Sequence, residues 1–435
     1  MESSTALESG TPLDSDIPRK SLASGTPLQP GSPLECGPPP ESGASLESLP
    51  RELLLAVLAY VPTEQLLPLR LLGRRWKKLI LEEPLWRHRR LDIPVAVDDN
   101  ALFAAILRMA PALDTLKLRT GYMRSSQGLA YLRALAQGKC KIRFLDLHFA
   151  ASAVSNKLIS TVFSSRRNTL QKLHIVLYGL VLHSNLVPAL KAIDALTELN
   201  TLRLDVSCGA YHGFSFKNLR LSNLQISCVL DKDLARDLIH LGRNSLKTIK
   251  CFSRMDKLKT DFVVCKNLTH LALYEWFDGL DEVVPQLPLL EFITFYVSSS
   301  LSESTANWLQ WAHRNFAGKI HFAVEHYSAD HSSLISSADN LRNVHRVTLN
   351  RGDLEQVTPP ALVARLLKSL TAVEQLVLNF RTDFESLLLS WPASTVPRLQ
   401  CLSVRSKYRK KPTAFRNSFM QAVQKWRPNL ELKFL

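Results

Sequence analysis

The sequence predicts an α/β chain: a disordered tail, a cluster of three short helices, then a curved solenoid with parallel strands inside and helices outside. Three observations lead there. The first 45 residues are rich in Pro, Gly and Ser and have no aromatic side chain. Residues 46–92 crowd leucines at helical spacing between prolines. From Leu113 onward a short apolar unit returns, at first every 22–29 residues.

Residues 1–45 hold eight of the 23 prolines, five of the 16 glycines and nine serines. Such a segment buries too little apolar surface to offset its ordering entropy, so disorder is expected. Residues 1–48 have seven acids and two bases, a net charge of −5, against +15 for the whole chain. The folded part is therefore strongly basic, and a basic surface attracts nucleic acid, an anionic membrane or an acidic protein. Charge alone does not choose among them. No run approaches the roughly 18 apolar residues that a membrane-spanning helix needs, and no basic-then-apolar leader opens the chain. The seven cysteines are odd in number and scattered, and no two form C-x-x-C. That usage fits reduced thiols in the cytosol or nucleus, filling small core sites.

The helical cluster begins abruptly at Ser48. Leu53, Leu54, Val57, Leu58 and Val61 recur at helical spacing until Pro62, and Thr63 is placed to cap the next helix. Leu66, Leu67, Leu69 and Leu72 continue on a second helix. Gly73 loosens the turn before Trp76, Leu79 and Ile80, and Pro84 suits the first turn of a further helix bearing Leu85 and Trp86. So small a unit has a marginal core and is expected to bury part of its surface on a partner.

This stretch resembles the F-box. The resemblance rests on Leu49-Pro50, Glu52-Leu53-Leu54, Val57-Leu58, Tyr60, Leu66-Leu67, Leu69, Arg75-Trp76 and Leu85-Trp86, in that order and spacing. One departure is Gly73, where the family usually has Cys or Ser. The resemblance implies a non-catalytic substrate receptor of an SCF-type cullin–RING ubiquitin ligase. In that role the F-box docks on the Skp-type adaptor and the rest of the chain holds a target. By the same resemblance, Leu49 and Pro50 are the adaptor-contacting opening. Leu53, Leu54, Val57, Leu58, Leu66 and Leu69 supply apolar faces, undivided between core and contact, and Trp76 and Trp86 anchor the core. Few contacts are expected to cross residue 92.

The recurring unit is L-x-x-L-x-L with Ile, Val or Phe allowed. It runs through Leu113-Leu116-Leu118, Ile142-Leu145-Leu147, Leu170-Leu173-Ile175, Leu199-Leu202-Leu204, Leu221-Leu224-Ile226 and Leu246-Ile249-Cys251. It continues at Leu268-Leu271-Leu273, Leu290-Ile293-Phe295, Val344-Val347-Leu349, Val373-Leu376-Leu378 and Leu399-Leu402-Val404. A weaker unit falls at Ile320-Phe322-Val324, and the chain ends on Leu430-Leu432-Phe434. Amphipathic segments fill most gaps, for example Leu102–Met109, Leu129–Ala136, Leu186–Leu196, Leu234–Leu241, Ala306–Phe316, Ala361–Leu370 and Phe415–Trp426. The period is that of leucine-rich repeats, here irregular, each burying its apolar face on its neighbours. The predicted organisation is thus a tail over 1–45, an F-box over 46–92 and a repeat domain over 93–435.

In such a repeat the residues flanking the second and third apolar positions face the open side of the sheet. That places Lys117, Arg119, Lys172, His174 and Arg203 on one face. Lys250, Phe252, His270, Tyr274, Tyr296 and Arg346 join them there. Bases interspersed with aromatics suit a binding surface. Lys117, Lys172, Arg203 and Lys250 are expected to form a cationic stripe for an acidic or phosphorylated target.

Catalytic patterns are missing. No C-x-x-C pair exists to hold zinc, and there is no G-x-G-x-x-G or P-loop, so neither a cofactor nor a metal is expected. His321, His326 and His331 are five apart, a poor spacing for one face of a strand or helix. Trp308 and Trp311 are expected to pack in the outer layer. Arg405, Lys407, Arg409, Lys410 and Lys411 form a basic run, read as a solvated face, a nuclear address or a loop contact. The expectation is a ligase receptor in the cytoplasm or nucleus, with no membrane partner and nucleic acid disfavoured. The alternative is a basic repeat scaffold that binds nucleic acid or an acidic protein without ubiquitination.

Overall fold

The computed structural model describes residues 46–93, 100–119, 125–150, 156–178, 187–206, 214–226, 232–252, 258–273 and 279–297. Beyond these it describes 307–308, 311–312, 314–324, 344–350, 371–379, 396–405, 417, 420–421, 423–425 and 427–434. The expected tail over 1–45 lies outside the described residues. So does the segment Ala361–Leu370.

The chain divides into two compact units, Met1–Leu54 and Leu55–Leu435. In the first, a 3₁₀ turn at Leu46–Ser48 leads to Pro50, whose carbonyl accepts from Leu54 N at 3.1 Å and starts α1 (Arg51–Ala59). The division falls within this helix.

In the second unit, α2 (Thr63–Leu69) contains Pro68, which lacks a donor and is followed at once by a 3₁₀ turn at Arg70–Leu72. Gly73 then offers its carbonyl to Lys77 N (3.0 Å) and opens α3 (Arg74–Ile80), and α4 (Glu83–Trp86) carries Pro84 in its first turn. Trp86 is fully buried, its indole N–H donating to the Ile80 carbonyl. Thr63 differs from expectation. Pro62 occupies the cap position, and the Thr63 hydroxyl donates instead to the Arg90 carbonyl at 3.3 Å. Arg89 ties the cluster together. Its guanidinium donates to the carbonyls of Leu58 (2.6 Å), Val61 (2.5 Å) and Leu85 (2.8 Å). Burial lowers its pKa, opposed by the charge of Glu64.

A parallel sheet follows, fourteen strands among the described residues, ordered in space as in sequence. Its strands are β1 (Arg90–Ile93), β2 (Ala112–Arg119), β3 (Lys141–Ala150), β4 (Lys172–Tyr178), β5 (Thr201–Val206), β6 (Asn223–Ile226) and β7 (Thr248–Cys251). Then come β8 (His270–Leu273), β9 (Phe292–Val297), β10 (Lys319–Val324), β11 (Val344–Asn350), β12 (Gln375–Asn379), β13 (Cys401–Arg405) and β14 (Glu431–Phe434). Parallel neighbours require a crossover, and helices supply many of them. These are α5 (Asn100–Met109), α6 (Ser125–Gln137), α7 (Asn156–Ser164), α8 (Val187–Asp194), α9 (Lys232–Leu241), α10 (Lys259–Phe262) and α11 (Leu280–Val283). The fold is therefore α/β and solenoid-like, with a helical N-terminal region.

The apolar motif explains the register. Leu91, Leu116, Leu145, Leu173, Leu202, Leu224, Ile249, Leu271 and Ile293 pair strand to strand in one row. None of them is more than 1% exposed. A second row two residues later runs from Ile93 to Phe295 and is buried too, with Cys251 in an apolar position. Each strand thus buries two side chains between the sheet and the helices. The rows jump between β10 and β11. Val344 pairs with Ile320 but Arg346 with His321, so His345 is an extra residue. Such an irregularity re-aims the side chains beyond it.

β1 begins at Arg90, inside the stretch expected to end at residue 92, and pairs with β2 over four residues. Asp114 N donates to the Arg89 carbonyl (2.9 Å), and Lys141 Nζ meets Glu83 Oε2 at 2.9 Å. Contacts across residue 92 are therefore many, where few were expected. The outer layer has its own polar joints. Arg166 is 2% exposed and donates to the carbonyls of Val162 on α7 (3.0 Å) and Leu135 on α6 (2.6 Å). Burial pulls its pKa down to about 10, partly offset by the neighbouring Cys140. Asp194, at the end of α8, accepts from the backbone N–H groups of Lys217 and Asn218 and from Asn218 Nδ2, each at 2.9 Å. Trp308 packs against Phe295, with ring centroids 4.5 Å apart, and against Trp311 at 6.1 Å.

Candidate binding surfaces

Two surfaces emerge, one apolar and one polar. The apolar one lies in the helical cluster. Leu54 (1% exposed), Leu58 (2%) and Leu66 (0%) are core, whereas Leu53 is 53% and Val57 48% exposed. Leu53 and Val57 are four apart on α1, hence on one side of that helix. Pro50 is exposed, and Leu49 and Leu69 are half-buried. Tyr60, Leu71 and Leu72 are more open still, at 91%, 83% and 61%. Leu71 and Tyr60 do not stand out among expected contacts, because a leucine-dense run does not reveal which of its members face water. Exposed large apolar groups at this density mark an interaction surface.

The polar surface is the sheet face opposite the helices. One cross-strand row runs Lys117, Asp146, His174, Arg203, Gln225, Lys250, Ala272, Thr294, His321, Arg346. Lys172 and His270 lie one row before it; Arg119 lies one row after, beside His148. Phe252 and Tyr296 stack at 6.2 Å, and Arg203 sits 5.3 Å over the Phe252 ring. Tyr274 lies outside the described residues, as do His326, His331 and Lys407–Lys411 of the C-terminal basic run.

The stripe expected from Lys117, Lys172, Arg203 and Lys250 is broken by Asp146. This carboxylate is 4% exposed, and its Oδ1 lies 2.6 Å from His174 Nδ1 and 2.9 Å from His148 Nε2. Burial opposes its ionisation, but hydrogen bonds from His148 and His174 outweigh that and hold its pKa well below the carboxylate range. His174, expected on the open face, is itself buried; burial lowers its pKa against the Asp146 bond, and Arg203 lowers it further. Its Nε2 has no partner among the described residues. The three side chains offer ligand atoms within 4.8 Å of one another and could hold a metal ion. Short contacts from two rings to one oxygen are already satisfied by protons, so hydrogen bonding suffices to explain the cluster. Asp146 is missed by a reading that looks for cations.

A second chain crosses β8 to β11. His270 Nε2 lies 3.0 Å from Thr294 Oγ1, which lies 3.4 Å from His321 Nδ1, and His321 Nε2 meets Thr348 Oγ1 at 2.9 Å. Burial pushes the His321 pKa down to about 3, with Arg346, His270 and Lys250 lowering it further. Three of the described thiols, Cys140, Cys251 and Cys265, are poor nucleophile candidates. Burial raises Cys140 and Cys265 to about 12 and raises Cys251 as well, the reverse of an activated thiolate. Cys36, Cys208 and Cys228 lie outside the described residues.

Residues 46–92 match the F-box-like family, the same stretch that carries the resemblance in the sequence. A comparison with curated proteins finds no match. The chain thus has an F-box-like domain followed by an α/β parallel-strand region.

Proposed function

We propose that this chain is a substrate receptor of an SCF-type ubiquitin ligase, built from an F-box and divergent leucine-rich repeats. F-box domains bind Skp-type adaptors of cullin–RING ligases, and the match over residues 46–92 is the observation that carries the reading. The exposed Leu53 and Val57 support it, since a folded helix that leaves such groups open is stabilised by a partner that covers them. The repeats hold the target on the polar sheet face. The chain then acts by proximity: tethering raises the effective concentration of target lysines near the charged enzyme, with no acyl transfer on the chain itself. Such a receptor works in the cytoplasm or nucleus.

The test separates contact from core. Leu53→Asp with Val57→Asp places charges on the open side of α1 and is expected to abolish co-purification of the Skp-type adaptor with little change in melting temperature. Leu58→Asp, at a buried site, is expected to unfold the cluster instead. Adaptor binding by the Leu53/Val57 double variant at wild-type strength would defeat the proposal.

A further inference from the structure

The extra residue in β11 sets the chemistry of one stretch of the sheet. Val344 pairs with Ile320, and in an unbroken register Arg346 would fall opposite Phe322, in a buried row. His345 is added instead, so Arg346 pairs with His321 and is exposed on the open face. Bulges that re-aim one side chain in this way are over-represented beside functional sites.

Arg346 lines a hollow of about 340 Å³ at the start of β9–β12, within the size range of ligand sites. One wall of it is polar. Lys319 meets Glu374 at 2.9 Å, so that base and that acid neutralise each other. His321 engages both ring nitrogens, Nδ1 with Thr294 Oγ1 (3.4 Å) and Nε2 with Thr348 Oγ1 (2.9 Å). Arg346 is the lining base left without an ion pair or hydrogen bond among the described residues. Gln375, its register partner on β12, is exposed beside it, and its side-chain amide is likewise unengaged among the described residues.

The other wall is apolar. Among the described residues from β1 onward, the large apolar side chains left exposed are Leu289 and Phe292, at 51% and 36%. Phe292 gives one ring face to His270, with centroids 5.4 Å apart and planes 20° apart, and the ring lines the hollow. Strands β9 and β11 lie two strand spacings apart, roughly 10 Å. Phe292 and Arg346 line the gap between them, so a single amino acid with a carboxylate and a large apolar side chain spans it.

We propose that Arg346, Gln375 and Phe292 bind the C-terminal residue of a target polypeptide, its free carboxylate on Arg346 and Gln375 and its large apolar side chain against Phe292. This rests on the receptor reading and names the chemistry its target presents. The planar fork of an arginine takes both oxygens of a carboxylate, and one unpaired cation matches one anion. Capture of a chain end by its carboxylate is a recurring mode of peptide recognition. An internal Asp or Glu must find its apolar group on another residue, whereas the C-terminal residue carries both groups on one Cα.

The experiment uses the full chain and a pool of short peptides of randomised sequence ending in Phe, Leu or Ser. Each ending is made with a free carboxylate and as the amide, and a further set carries an internal Glu-Phe and an amide end. Bound peptides are counted by mass spectrometry. Free-carboxylate Phe and Leu endings are expected to be enriched at least tenfold over their amides and over the Ser ending. Arg346→Met is expected to lose the preference for the free carboxylate, and Phe292→Ser the preference for Phe and Leu. Lys117→Met, on the same face, leaves both within about twofold. Arg346 and Phe292 are exposed, so their variants are expected to keep the wild-type melting temperature. Equal recovery of amides, equal recovery of the internal Glu-Phe set, or an unchanged preference in Arg346→Met each overturn the site. The first two outcomes are read on the wild-type chain and need no variant. Adaptor co-purification is scored on the same samples. Its retention without carboxylate-dependent binding refutes this proposal alone, and its absence in the wild type refutes the receptor reading.

Discussion

On the sheet face four titratable groups, His174, His270, His321 and Asp146, have their pKa displaced downward. His321 is held near 3 and His174 and His270 below their ordinary value, first by burial, while Asp146 is held low by its histidines. The unfolded chain protonates its imidazoles near pH 6.5, and the folded chain does so only at lower pH. Between those values the unfolded state binds more protons, so stability falls as pH drops from about 6.5 toward 3. Asp146 adds to the loss at the acid end, because its stabilising effect is complete above the ordinary carboxylate pKa and vanishes as pH falls through its lowered one. Melting curves from pH 7.5 to 4 are expected to show this loss, and His321→Gln is expected to flatten it. An unchanged slope in His321→Gln would mean that the imidazole is not protected by the fold. Asp146→Asn removes the charge that orders two rings, and is expected to cost about 2–4 kcal/mol at neutral pH by chemical denaturation.

At the level of strands and helices, most of the ladder is legible in the sequence because its cause is local. Leu116 and Leu118, or Leu224 and Ile226, alternate with polar residues and leave little choice of face. β1 is missed because Leu91 and Ile93 are its whole signal and Pro94 follows at once. The short α10 and α11 are missed for want of length, four residues each being too few for a period to register. The shift at β10 is invisible because Ile320, Phe322 and Val324 offer three apolar positions where the motif needs two; only pairing decides between them. The joints of the outer layer are equally hidden, since Asp194 and Arg166 read as ordinary surface charges. Asp194→Ala would strand three donors and is expected to cost about 2–4 kcal/mol. Gly138→Ala tests a close approach: a Cβ there would lie 2.3 Å from the Leu107 carbonyl oxygen at the end of α5, on backbone that cannot swing aside. A drop of several degrees in melting temperature is expected, and a neutral result would show that the α5–α6 contact is looser than described.

For the molecule as a whole, helices α2–α4 and the sheet are one construction. Cutting the chain after residue 93 would remove β1 and bare the edge of β2, eight residues long, to other strands. Residues 94–435 are therefore expected to aggregate when expressed alone, while 88–435, which keep Arg89 and β1, are expected to resist it better; size-exclusion chromatography decides. The basic character of the chain raises the rival of nucleic-acid binding. That rival predicts affinity for duplex or single strands that collapses between 50 and 200 mM salt, against target capture that depends on particular residues of the face. The strand at 90–93 has a further meaning for a receptor. Ladder hydrogen bonds join it to the surface proposed to hold the target, and no flexible tether intervenes between α4 and that surface. A tether would sweep its cargo through a volume and let many lysines meet the enzyme in turn. A stiff bracket instead works as a ruler: it selects lysines by distance from the captured group, and those off the mark stay unmodified however long the complex lasts. Inserting a Gly-Ser segment at His88 should blur the ruler, spreading ubiquitin over more lysines of the same target while slowing the favoured one.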